Sequence, residues 1–182
     1  MTQVALNPHA GTANVGKDLK RIKTLFKKNR LKDAKPLCDR VFAHQERSAN
    51  FLHLYGLTLR ACGDFTGALE KIYAAHEQKP DDANMLNSLG LVFADMSDTE
   101  TAITLFKRAT AADQKCYQAW INLGNALLKV ERFDASAVAF VCAHHLDRSK
   151  LEPLFCLAVL EFERRDYQRS AEILDELLEH HK

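Results

Sequence analysis

The sequence predicts an all-α fold, a right-handed α-solenoid built from antiparallel helix pairs. Gly56, Gly90 and Gly124 are 34 residues apart, and the same apolar pattern returns around each of them. The chain of 182 residues also has only 7 Gly and 4 Pro, too few for the many turns of an all-β fold. A period of this length is typical of repeats in which each helix pair buries its apolar face against the next pair.

The first half of each unit is predicted to be a helix that has the glycine on its buried face. In the unit around Gly90, the large apolar residues are Leu86, Leu89 and Phe93. This spacing follows one face of a helix with 3.6 residues per turn. Glycine inside a helix costs about 1 kcal/mol relative to alanine, so we expect the close approach of a neighbouring helix to compensate.

The second half of each unit is predicted to be that neighbouring helix. Small, large and small residues recur at i, i+4 and i+7, as in Ala102, Phe106 and Ala109. This alternation allows two antiparallel helices to interlock. Turn-forming residues fall between the predicted helices, at Gly63-Asp64, Ser97-Asp98 and Pro80-Asp81-Asp82.

These residues resemble the tetratricopeptide repeat (TPR), a helix–turn–helix of 34 residues. The unit that begins at residue 49 matches the family pattern at Leu52, Tyr55, Gly56, Leu59, Ala68, Ile72, Ala75 and Pro80. Extending the period in both directions predicts a single TPR domain over residues 17–182, with repeats at 15–48, 49–82, 83–116, 117–150 and 151–182. Residues 1–16 are predicted to form a disordered tail.

The resemblance implies a scaffold for protein–protein interaction rather than an enzyme. In this family the first helix of each pair lines a concave groove, and its positions outside the core face the partner. Those positions predict a site for a peptide or helix of a partner protein at Asn50, His53, Leu57, Arg60, Asn84, Asn87, Leu91, Gln118, Ile121, Asn125, Glu152, Phe155 and Phe162.

Carboxamides repeat at one position of this predicted groove, at Asn50, Asn84 and Gln118. Each offers a donor and an acceptor, which suits the backbone of an extended peptide. Alternatively, these side chains only keep the groove hydrated. A clamp for an acidic C-terminal tail, another use within the family, is disfavoured because Gln118 and Glu152 stand where that clamp needs cations.

Charge is distributed unevenly along the chain. Residues 17–48 hold eleven basic and four acidic residues, whereas residues 49–182 hold fourteen basic and twenty acidic residues. Such asymmetry can steer a charged partner, although solvated outer helix faces would give the same pattern. Nucleic-acid binding is disfavoured because the basic first helix has one aromatic residue, Phe26, and no stacking platform.

The last predicted helix presents apolar residues that no later repeat would cover, at Ile173, Leu174, Leu177 and Leu178. Three interpretations stay open: a second subunit covers them in a homodimer, further chain follows, or the helix tolerates partial exposure. Further chain would make this the N-terminal substrate-recognition region of a larger, transferase-like enzyme. A dedicated secretion chaperone is a further alternative, because such chaperones share compact repeat arrays.

Catalysis, a cofactor and a metal site are not predicted, because the sequence lacks the phosphate-binding, zinc-protease and hydrolase motifs. His144 and His145 are adjacent, but neighbouring side chains on a helix point about 100° apart. The five cysteines include no C-x-x-C pair, which favours reduced thiols and a cytoplasmic location. The sequence contains no apolar run of about 18 residues, so no membrane span is predicted.

Overall fold

Helices alternate with short turns throughout the described part of this computed structural model. The backbone is described for residues 8–44 and 46–179, and the side chains for residues 14–44 and 46–178. No strand occurs among these residues, which confirms the all-α prediction. None of the helices described is long and apolar enough to cross a membrane.

The chain divides into two compact units, Met1–Lys79 and Pro80–Lys182, where the sequence predicts a single domain. The helices of the first unit are α1 (Pro8–Lys27), α2 (Lys35–Ala43), α3 (Ala49–Ala61) and α4 (Phe65–Gln78), with a 3-10 turn at Lys32–Ala34. The predicted disordered tail is wrong from Pro8 onward, because proline suits the first turn of a helix and α1 begins there. Residues 1–7 lie outside the described backbone.

The second unit contains three helix pairs. Their helices are α5 (Ala83–Asp95), α6 (Thr99–Ala112), α7 (Tyr117–Lys129), α8 (Phe133–Leu146), α9 (Glu152–Glu163) and α10 (Tyr167–Glu179). Within this unit each pair packs against the next, through α6 with α7 and α8 with α9. The first helices of the pairs, α5, α7 and α9, also contact one another in sequence.

Two of the periodic glycines of the second unit allow a large aromatic side chain to pack against the helix backbone. A Cβ built on Gly90 would lie 2.5 Å from Cε1 of Phe106, and one on Gly124 would collide with Phe140 in the same way. Both phenylalanine side chains are fully buried. The expected compensation for a helical glycine is therefore present as close packing between the two helices of a pair.

Each turn within a helix pair contains one residue with positive φ. These residues are again 34 positions apart: Asn29 (53°), Gly63 (84°), Ser97 (67°), Glu131 (57°) and Arg165 (66°). After this residue, the next amide donates to a carbonyl five residues earlier; for example, Asp98 N lies 2.9 Å from Phe93 O. This is the Schellman motif, which satisfies the last carbonyls of the first helix.

Aspartate follows this turn residue in three of the five pairs and caps the second helix. Asp64, Asp98 and Asp166 accept hydrogen bonds from backbone amides in the first turn that follows. In the fourth pair Arg132 occupies this position and supplies no side-chain cap. In these four pairs a segment of three residues thus ends one helix and begins the next, which makes the turn tight.

Candidate functional site

The predicted groove lies on α5, α7 and α9 of the second unit, where three carboxamide side chains are exposed. Asn84 and Gln118 lie near the start of α5 and α7, and Asn125 lies two turns further along α7. Nδ2 and Oδ1, or their glutamine counterparts, give each side chain both donors and an acceptor. We call these three exposed residues the amide row.

Two residues predicted for the groove are instead buried. Asn87 is 7% exposed and Ile121 is 1% exposed. They occupy the same position in successive repeats, and the first helix of the following pair covers that position. Ile121 belongs to an apolar cluster with Phe140 and Leu160. Neither residue can contact a partner, and their assignment to the groove is wrong.

Asn87 instead positions a residue that the predicted site omitted. Asn122 Nδ2 donates to Asn87 Oδ1 at 2.8 Å, and Gln118 Nε2 lies 3.5 Å from Asn122 Oδ1. The short bond joins α7 to α5, and the long one links Asn122 to the amide row. The sequence could have predicted Asn122, because it comes four residues after Gln118 and so lies on the same face of the helix, one turn further along.

Two cavities open between the first helices of this unit. One of about 220 Å³ lies between α5 and α7, and its lining includes Leu91, Asn122 and Asn125. The other, of about 550 Å³, is lined by residues of α7, α9 and the turns that follow them, including Val159. Lys129 lines both cavities. The larger cavity is also lined by Glu131, Glu163 and Arg165, so the surface combines amides, apolar side chains and charges of both signs.

Glu152 has the same repeat position as Asn84 and Gln118 and lies at the start of α9. Tyr117 Oη donates to Glu152 Oε2 at 3.0 Å, and Lys150 Nζ lies 3.8 Å from the centre of the Tyr117 ring. Burial, followed by the hydrogen bond to Glu152, raises the pKa of Tyr117. The protonated phenol is the donor, and its bond to Glu152 joins the start of α7 to the start of α9.

Cys156 lies beside Asn125 but does not form a reactive centre. Its Sγ is 3.9 Å from Asn125 Oδ1, and burial raises the pKa of the thiol to about 11. The thiol form therefore predominates at neutral pH, whereas the thiolate is the nucleophile. All five cysteines are free. Among the described residues, no group of three or more His, Cys, Asp or Glu side chains could hold a metal ion.

In the first unit, the predicted groove residues are Asn50, His53, Leu57 and Arg60 on α3. Asn50 is exposed, and its Oδ1 accepts a hydrogen bond from Lys79 Nζ at 3.0 Å. The other three residues are partly buried. A partner at Asn50 would therefore have to replace this bond, just as a partner at Gln118 would replace its longer contact with Asn122.

Phe155 and Phe162, also predicted for the groove, lie around a cavity of about 160 Å³ between α9 and α10. Both are 58% exposed. Phe155 has the same repeat position as Asn87 and Ile121. At those two residues the first helix of the following pair covers this position, whereas Phe155 is exposed. We call the exposed apolar residues of this last pair the end face, which comprises Phe155, Phe162, Tyr167, Leu174 and Leu178.

The four residues predicted for self-association separate into two sets. Ile173 and Leu177 are buried in an apolar cluster with Leu154 and Ala158 of α9. They cannot contact a second subunit, so the prediction is wrong for this pair. Leu174 and Leu178 are 40% and 65% exposed, and Leu174 lines the cavity between α9 and α10.

The family model described as "Psidin, N-terminal TPR repeats region" matches residues 17–159 of this chain. The chain is also similar to the protein CTR9 homolog of Arabidopsis thaliana, at 26% identity over 121 residues. That match covers 64% of this chain and 11% of the plant protein. The chain therefore spans only a small part of this much longer relative.

Solved structures with the same fold cover most of the chain. MamA (residues 41 to the end) from Desulfovibrio magneticus RS-1 has a TM-score of 0.77 and 17% identity, over 92% of this chain and 95% of its own. Pseudomonas aeruginosa pilF has a TM-score of 0.77 and 15% identity, over 94% and 78%. YrrB, described as a TPR protein with an unusual peptide-binding site, has a TM-score of 0.68 and 15% identity, over 90% and 84%. These likenesses confirm the predicted all-α solenoid of tetratricopeptide repeats.

Proposed function

The chain belongs to the tetratricopeptide repeat family described as Psidin, N-terminal TPR repeats region, and we propose that it is an interaction scaffold that binds an extended peptide of a partner protein. The peptide lies across α5, α7 and α9 of the second unit. The observation that carries this proposal is the amide row, in which Asn84, Gln118 and Asn125 are exposed. YrrB, a structural neighbour, is described as binding peptide.

The spacing of the helices suits a peptide in extended conformation. Packed helices lie about 8–10 Å apart, and an extended chain advances about 3.3 Å per residue. A peptide that crosses the groove therefore places about every third residue over the next helix. Its backbone N–H and C=O groups would bond to the amide row, because peptide groups left without partners on binding cost free energy.

Side-chain preferences follow from the two cavities. The 220 Å³ cavity beside Leu91 has the size for one apolar side chain. Lys129 lines both cavities and would pair with an acidic residue of the peptide. We therefore expect bound peptides to contain an apolar residue and an acidic residue about three positions apart.

The proposal is tested by selection from a phage library of random peptides of about twelve residues on the immobilised full chain. The variant Asn84→Ala/Gln118→Ala/Asn125→Ala should bind the selected peptides at least about tenfold more weakly, since three hydrogen bonds at about 1 kcal/mol each are lost. The matched control Lys107→Ala/Arg108→Ala changes exposed residues of α6 and should bind as wild type. Equal binding by wild type and the amide variant would overturn the proposal.

Two alternatives to a free-standing scaffold stay predictions. The chain could be the recognition region of a larger, transferase-like enzyme, and the gene sequence after Lys182 tests this. It could be a secretion chaperone, in which case a secreted client would be soluble only when both proteins are co-expressed. A cytoplasmic location is likewise a prediction, which cell fractionation would test.

A further inference from the structure

The end face is an apolar surface on α9 and α10 that the proposed groove function does not use. Phe155, Phe162 and Leu178 are all more than half exposed. The 160 Å³ cavity between α9 and α10 is lined by apolar side chains and Ser170, and its lining includes Phe155, Phe162 and Leu174. An exposed apolar surface with a cavity of this kind is typical of an interaction site.

In the two preceding helix pairs of the second unit, another helix covers the surface that is equivalent to the end face. Phe106 of α6 and Phe140 of α8 have the same repeat position as Leu174 of α10, yet they are 1% and 0% exposed whereas Leu174 is 40% exposed. Phe106 packs in a cluster with residues of α7, and Phe140 in a cluster with residues of α9. In both cases the covering element is the first helix of the next pair. The end face therefore has the form of a surface that accepts a helix.

The two covering helices show which side chains this surface accepts. In α7 the residues in the cluster are Leu123, Ala126 and Leu127. In α9 Leu160 lies in the cluster, and Cys156 and Leu157 pack against it. Both sets are three and four residues apart, which places them on one stripe of a helix. A fitting occupant is thus an amphipathic helix with apolar residues at that spacing.

Charge along the edges of the end face selects among amphipathic helices. Glu163 comes four residues after Val159, and Asp175 comes three residues before Leu178, so each carboxylate lies beside the apolar stripe of its helix. Both are exposed and have no ion pair among the described residues. The nearby Arg169, by contrast, pairs with Glu172 at 2.9 Å. The edge along α9 therefore carries Glu163, with Arg165 lining the same cavity, and the edge along α10 carries Asp175.

We propose that the end face binds a basic amphipathic helix of a partner protein, which packs on α9 and α10 as α7 packs on α5 and α6. Lysine or arginine residues on both flanks of its apolar stripe pair with Glu163 and Asp175. Two copies of the end face brought together would instead place these like charges near each other. A heterologous basic helix therefore fits better than a symmetric homodimer.

The test uses a fluorescein-labelled peptide of about 18 residues, long enough to form a helix, with leucine at every third and fourth position and lysine on both flanks. Its twin has glutamate in place of each lysine. Fluorescence anisotropy with the full chain should give a dissociation constant at least about tenfold lower for the lysine peptide, and that affinity should fall as salt is added.

Two matched variants locate the bound peptide. Leu178→Glu changes the end face, while Val138→Glu makes the same change at a residue of α8 that is 61% exposed. Leu178→Glu should weaken binding of the lysine peptide about tenfold, because the new carboxylate would lose its hydration under the leucine stripe. Val138→Glu should leave binding unchanged. The amide variant Asn84→Ala/Gln118→Ala/Asn125→Ala should also bind normally, because it changes only the groove. Circular dichroism checks that each variant is folded.

Three results would overturn the proposal. Equal affinity for the lysine and glutamate peptides would show that Glu163 and Asp175 do not select a basic helix. Equal affinity of Leu178→Glu and wild type for the lysine peptide would show that it binds outside the end face. Sedimentation velocity supplies the third, because a wild-type dimer that Leu178→Glu converts to monomer would show that a second copy occupies the face. A monomer at about 100 μM, together with selective binding of the lysine peptide, is the expected result.

Discussion

Adding a methyl group at Gly90 should destabilise the second unit, even though alanine is the better helix former. The new Cβ would lie 2.5, 2.8 and 3.0 Å from three ring atoms of Phe106, whereas carbon atoms in contact are about 3.5–4.0 Å apart. The ring would have to move by about 1 Å, but it is buried and packs in a cluster with Leu123 and Leu127. Overpacking destabilises a core by about 1–3 kcal/mol, whereas the helix preference of alanine over glycine stabilises the helix by about 1 kcal/mol. Gly90→Ala should therefore lower the free energy of unfolding by about 1 kcal/mol.

Gly16→Ala in α1 is the control, because nothing lies within 4 Å of a Cβ built there. This variant should gain up to about 1 kcal/mol from helix preference alone. Urea unfolding followed by circular dichroism measures both variants, and Gly90→Ala/Phe106→Leu should lose less than the sum of its two single changes. If Gly90→Ala were as stabilising as Gly16→Ala, the close-packing role of the periodic glycines would be refuted.

Three further predictions concern the turns and the thiols. Glu131→Gly should raise the free energy of unfolding by about 0.5–1 kcal/mol, because Glu131 has φ 57°, and Gly63→Ala should lower it by about 1 kcal/mol at the equivalent position. Asp98→Ala should cost about 1 kcal/mol in the same urea assay, since it removes the helix cap, whereas Asp98→Asn should cost less. At pH 8 iodoacetamide should alkylate exposed Cys62 at least about tenfold faster than Cys156, whose pKa is about 11.

Each of these has an outcome that contradicts it. Equal stability of Glu131→Gly and wild type would mean that the left-handed turn carries no strain. Asp98→Ala with an unchanged urea midpoint would show that the cap is not formed in solution. Because the pKa of Cys156 is raised to about 11, its alkylation rate should rise about tenfold per pH unit between pH 8 and pH 10. A rise of less than about twofold between pH 9 and pH 10 would show an ordinary thiol.

The helices were predictable because the 34-residue pattern repeats the same packing chemistry in every pair. Gly63 and Asn29 also predict left-handed turns, since these residue types tolerate positive φ. Ser97, Glu131 and Arg165 do not. They adopt the same conformation because the Schellman bonds and the packing of the helix pair impose it. Tertiary structure thus overrides local preference at three of the five turns.

The groove was only partly predictable from the sequence. The exposure of Asn84 and Gln118 follows from their position on the helix, which the period supplies. Asn87 and Ile121 are buried because the next helix covers them, and Phe155 is exposed at the same position because no helix in the described chain lies over it. The burial of one position therefore depends on its neighbouring repeat, which a pattern within one repeat cannot report.

The most direct test of peptide binding to the groove is a titration followed by NMR of asparagine and glutamine side-chain amides. One selected phage peptide is added to the uniformly 15N-labelled full chain, and the side-chain NH2 signals are assigned with the single alanine variants. We predict that the signals of Asn84, Gln118 and Asn125 shift with a common dissociation constant. Unchanged signals of these three amides at saturating peptide would contradict the account.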